Sequence, residues 1–123
     1  MPYQLTLHQQ PQYLHAIATG TNSEAAVRGY LADLLRECIA RHCSRVLIEE
    51  RLDGPRLPTL SVFLIASEQT ERARGHLSAI AYVDINAKGD LMRFAEDVAV
   101  NRGLRAAVFA SVDEARAWLL STL

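Results

Sequence analysis

The chain has 123 residues, half of them hydrophobic and 22% charged, with a formal net charge of −1. That size suits one domain, able to bury roughly two-thirds of the surface it exposes when unfolded. The composition is too apolar for a disordered chain, and the spread of charge excludes a nucleic-acid or anionic-membrane footprint.

Tyr3, Leu5 and Leu7 alternate with polar residues, which predicts a half-solvated strand over 3–9. After Pro11 the run Tyr13-Leu-His-Ala-Ile-Ala18 predicts a second strand over 13–19. So short a break predicts an antiparallel pair at one edge. Gly20 ends that strand, and Thr21-Asn-Ser-Glu24 reads as a capping box with Thr21 at the helix start. The first helix is expected to run to about Arg41 on the stripe Val27, Tyr30, Leu31, Leu34, Leu35, Cys38 and Ile39. Glu24 with Arg28, and Glu37 with Arg41, form outward pairs four apart. Gly29 inside this helix costs about 1 kcal/mol against Ala, and close packing is the expected reason.

Val46-Leu-Ile48 lacks alternation and sits between helices, the pattern of a central parallel strand. A turn-rich loop follows over 51–57, and Pro58 opens a second helix expected to reach about Ser67. That helix carries two apolar stripes. Leu60, Phe63 and Leu64 make one, and Val62, Ile65 and Ala66 make a second on the opposite side, covered either by a partner or by the chain's own 68–76 segment. The polar stretch Glu68–His76 reads as a connection. Leu77–Val83 is the next strand, with an exit loop over Asp84–Gly89. Asp90 caps a third helix over 91–102 that stops at Gly103. Ala106–Phe109 is the last strand, and Ser111-Val-Asp-Glu114 opens the final helix, anchored by Ala115, Trp118 and Leu119.

The order β-β-α-β-α-β-α-β-α predicts an α/β fold: a mostly parallel five-stranded sheet with helices packed on it, one domain over 1–123. The cysteines Cys38 and Cys43 read as reduced structural thiols. Residues 1–8 lack a charged-then-apolar signal pattern, and no apolar stretch approaches the roughly 20 residues of a membrane span. A cytoplasmic location is therefore the expectation.

In a parallel sheet, function gathers where strands end and helices begin. The loop Leu52–Thr59 is the most distinctive segment there. Asp53, Gly54, Arg56 and Thr59, with Asp84 and Asn86 from the next strand end, form a candidate site for a small anionic or amphipathic ligand. Val62, Ile65 and Ala66 form a candidate interface, most simply with a second copy of the chain. Glu49, Glu50, Asp53 and Asp84 could gather as a carboxylate cluster, and a metal-assisted enzyme using Glu50 and Asp84 is a further reading. Adjacent residues on a strand point to opposite faces, so Glu49 and Glu50 cannot both join it. His8, His15, His42 and His76 match no metal-ligand spacing, His42–Cys43 makes no nucleophile pair, and no glycine-rich phosphate cradle is present. The residues call for no cofactor.

Val46-Leu-Ile-Glu-Glu-Arg-Leu-Asp-Gly-Pro-Arg-Leu57, Ala79-Ile-Ala-Tyr-Val-Asp-Ile-Asn86, Met92–Glu96 and Val98–Gly103 resemble the SpoIIAA-like (STAS-like) family, in its stand-alone bacterial subgroup. The resemblance spans nearly the whole chain. It implies a non-enzymatic regulatory or protein-interaction module. Anti-sigma factor antagonists of that family bind a partner kinase and are switched by phosphorylation of a Ser in an Asp-Ser-Ser-Gly run after the central strand. The matching stretch here is Arg56-Leu-Pro-Thr59, with Thr59 the nearest hydroxyl and Ser61 beyond it, so that phosphoserine motif is not intact. The family is also similar to lipid-carrying domains with an apolar pocket.

Overall fold

The computed structural model describes residues 3–84, 97, 100, 101 and 103–123, with Thr59 described by its backbone. Its elements are β1 (Tyr3–Gln9), β2 (Leu14–Thr21), α1 (Glu24–Ala40), β3 (Arg45–Asp53), α2 (Thr59–Ala73), β4 (Ala79–Asp84), β5 (Arg105–Phe109) and α3 (Val112–Ser121). The helix expected over 91–102 and its cap Asp90 lie outside the described residues, save that 97, 100 and 101 are helical. The strands form one mixed sheet in the order β1-β2-β3-β4-β5. β1 pairs antiparallel with β2, and the other three pairings are parallel.

Period-two alternation divides the side chains between two layers. On one face, Leu14, Ala16, Ala18, Val46, Ile48 and Leu52 meet Val27, Tyr30, Leu34, Cys38 and Ile65 of α1 and α2. On the other, Leu47, Ala79, Ala81 and Val83 meet Ala115 and Leu119 of α3. β3 is buried on both faces from Val46 to Glu50, which explains its unbroken apolar start. It also runs further than its apolar residues suggest. Glu49 and Glu50 continue the strand, because each finds a polar partner inside.

Two local expectations change. Thr21 belongs to β2, and the N-cap of α1 is Ser23, whose Oγ accepts from Ala26 N–H at 3.1 Å. Ser111 caps α3 as expected, accepting from Glu114 N–H at 3.3 Å. α2 extends to Ala73 and takes in most of the polar connection.

The two stripes of α2 are also exchanged. Ile65 is 5% exposed, whereas Leu60 and Leu64 are 68% and 45% exposed. The reason is the helix's full length. At intervals of four, Leu60 and Leu64 lead into Glu68 and Arg72, charged residues that form an ion pair at 3.7 Å, Glu68 also pairing with Arg28 of α1 at 3.4 Å. Val62, Ile65 and Ala66 lead instead into Gln69, buried Thr70 and buried Ala73. A wide inward face of modest side chains outweighs a narrow stripe of larger ones.

Gly29 is explained by β1. A Cβ there would lie 2.6 Å from Tyr3 Cε1, so the glycine lets the edge strand's aromatic ring lie against the helix.

Candidate functional site

Between the sheet and the α1–α2 layer lies a cavity of roughly 190 Å³. Its walls are mostly aliphatic, including Val27, Leu31, Ile48, Val62, Ile65 and Ile80. Its polar lining comes from Asn22, Glu50, Arg56, Gln69, Thr70, Tyr82 and Asp84. Such a shape, apolar with a few convergent polar groups, is the usual form of a small-molecule site.

The centre of the polar wall is Glu50, 9% exposed. Strand alternation turns it to the α1–α2 side, where Tyr30 of α1 and Tyr82 of β4 both donate their phenol O–H to its Oε2. The two phenol oxygens are themselves 2.9 Å apart. Register places Asp84 beside Glu50 on the neighbouring strand. Burial pushes the Glu50 carboxyl above the ordinary glutamate range, and the Asp84 charge adds to this. The phenol hydrogen bonds and Arg56 act the other way. Burial first, then the Glu50 charge, holds the phenols of Tyr30 and Tyr82 well above their usual range. Both therefore stay protonated at neutral pH and act as donors.

Arg56 reaches the same wall from the β3–α2 loop, its guanidinium 3.6 Å from the buried Asp84 carboxylate. The loop's path is set by Asn22, whose N–H donates to Asp53 C=O at 2.6 Å and whose amide donates to Pro55 C=O at 2.9 Å. Gly54 makes the turn at φ +113°, a conformation that L side chains rarely adopt. Gln69 closes the cavity from α2, and its buried Nε2 has no hydrogen-bond partner among the described residues.

The structure thus brings together Arg56 and Asp84 of the residues expected at the strand ends. Asp53 is the exposed last residue of β3, Gly54 is exposed in the loop that carries Arg56, and Thr59 opens α2. Asn86 lies outside the described residues. Val62, Ile65 and Ala66, expected on an outer interface, line the cavity instead. Glu49 points to the opposite face, as expected, where it pairs with His15 at 3.0 Å and with Arg51. Among the described residues no three His, Cys, Asp or Glu side chains gather as a metal would require.

Sequence reasoning missed the partnership of Glu50 with Tyr30 and Tyr82. A signal existed. Tyr30 lies on the inner stripe of α1, and a buried phenol needs a hydrogen-bond partner. The partner's identity depended on which residues the sheet register set opposite it. Among the described residues no helix is long and apolar enough to cross a membrane. In comparison with known proteins, the chain matches no family model and no curated protein.

Proposed function

We propose that this domain is a non-enzymatic binding module that takes a small amphipathic molecule into the cavity between its sheet and the α1–α2 layer. The observation that carries this reading is the buried Glu50–Tyr30–Tyr82 cluster at one wall of an otherwise aliphatic cavity. A buried carboxyl group is costly unless it is hydrogen-bonded. Placing one beside an apolar space favours an orienting role for it. The phenols hold Glu50 and the Arg56 guanidinium pairs with Asp84, so the wall's polar groups are partnered, which suits recognition better than turnover. The SpoIIAA-like resemblance fits a module of this kind, with ligand occupancy as its regulatory input.

The test is a thermal-shift and NMR screen of the full chain against aliphatic and aromatic amphiphiles, with Ala66→Phe as the blocked variant. Binding should stabilise the wild type by mass action and perturb the Ile48, Val62 and Ile80 methyls. It should vanish in a blocked variant that still unfolds cooperatively. A wild type that responds to no compound would overturn the reading.

A second reading rests on Leu60 and Leu64, one turn apart and exposed on the outer face of α2. This pair suits a protein partner, most simply a second copy of the chain. Sedimentation should then show a dimer that Leu64→Lys dissociates, and a monomer at high concentration would remove it.

A further inference from the structure

Resting on the cavity reading above, we infer that the ligand is a small neutral compound bearing a hydroxyl group, with a body about the size of one aromatic ring, and that Glu50 and Gln69 select it over acids and amines. Size limits the body. An apolar cavity of about 150 Å³ takes benzene, so roughly 190 Å³ accommodates a ring with a short substituent.

Donor and acceptor accounting selects the head group. Both phenols spend their single proton on Glu50 Oε2. Oε1 of the same group is then the acceptor left for a ligand, since among the described residues the hydrogen bonds to Glu50 are those two. Gln69 presents the complementary need, a buried N–H without an acceptor among the described residues. An unpaired buried polar atom in a folded protein calls for an explanation, and a bound molecule supplies one. A carboxylate offers no donor to Glu50 and sets a third negative charge beside Glu50 and Asp84. An ammonium offers no acceptor to Gln69, must be stripped of water among aliphatic walls, and meets the Arg56 guanidinium. A hydroxyl both donates and accepts, and it carries no charge.

The experiment titrates the full chain with four probes that share one ring: benzyl alcohol, benzoate, benzylammonium and toluene. The Ile48, Val62 and Ile80 methyl resonances report binding at neutral pH. Benzyl alcohol should bind at least about tenfold more tightly than benzoate or benzylammonium, and more tightly than toluene. Glu50→Gln preserves side-chain size but turns an N–H toward the ligand, so the preference for the alcohol over benzoate should fall by about tenfold. Tyr82→Phe provides a second variant. It frees part of Oε2, and the alcohol should still be preferred. Tighter binding of benzoate or benzylammonium by the wild type would overturn the head-group assignment and leave the cavity reading standing. Perturbation of none of the methyls by any probe would overturn both.

Discussion

Glu50 shows how a single residue's position on a strand decides its chemistry. Its neighbour Glu49 faces the α3 layer and is held by His15 and Arg51, while Glu50 faces two phenols and a cavity. A consequence for stability follows from burial. The folded-state pKa of Glu50 is raised above the usual value near 4.5. Between those two values the folded protein holds a proton that the unfolded chain has released. Stability therefore falls as pH rises through that window, and the penalty is complete above the folded pKa. Glu50→Gln does not titrate. In urea unfolding, the midpoint of Glu50→Gln relative to wild type should rise from acid to neutral pH. Parallel profiles would show that Glu50 does not carry this dependence. Cys38 shows the same physics in an inert setting. Burial pushes its thiol up to about 12, so it should resist modification in the native state.

At the scale of the element, helix starts follow from side chains within a few residues. Ser23→Ala should cost about 1 kcal/mol, because the Ala26 N–H loses its acceptor, while Thr21→Ala should cost only a few tenths. Chemical denaturation of the two variants checks this, and equal losses would return the cap to Thr21. α2 makes a stronger contrast. Ile65→Ala removes a buried side chain and should cost about 2–4 kcal/mol. Leu64→Ala lies on the exposed face and should change stability by about 0.5 kcal/mol or less. The reverse order would restore the stripes to their sequence-expected faces. The expectation failed here for a physical reason. Ending the helix at Ser67 left the charged residues Glu68 and Arg72, which continue the stripe of Leu60 and Leu64, out of the pattern.

In the whole molecule, the sheet's order sets a gradient of stability. β3 is covered on both faces and paired on both edges, whereas β1 and β5 lie at the sheet's edges and are half exposed. Amides of β3 and its flanking strands should therefore exchange with solvent only through global unfolding, and those of β1 and β5 sooner. Native-state hydrogen exchange reads this directly, and uniform protection across the five strands would contradict it. The same arrangement makes the cavity. β3, β4 and β5 supply its floor, α1 and α2 its walls, and the β3–α2 loop carries Arg56 to its edge.

Much of this architecture was legible in the amino-acid order, because its causes are local. Alternation at Tyr3, Leu5 and Leu7, the apolar run Val46–Ile48 and the hydroxyl of Ser111 each act over a few residues. The α/β class and the opposed directions of Glu49 and Glu50 follow from such patterns. The site was legible only in part. Arg56 and Asp84 were expected at the strand ends. Tyr30 and Tyr82 come to Glu50 from a helix and a neighbouring strand, and Gln69 joins it at the cavity from a second helix, 20, 32 and 19 positions away in the chain. Periodicity tells which side of an element turns inward, but the residue that meets it there is set by strand register and helix packing. Tertiary structure alone decided that the buried carboxylate faces a cavity, and that the α2 stripe expected to meet a partner became its wall.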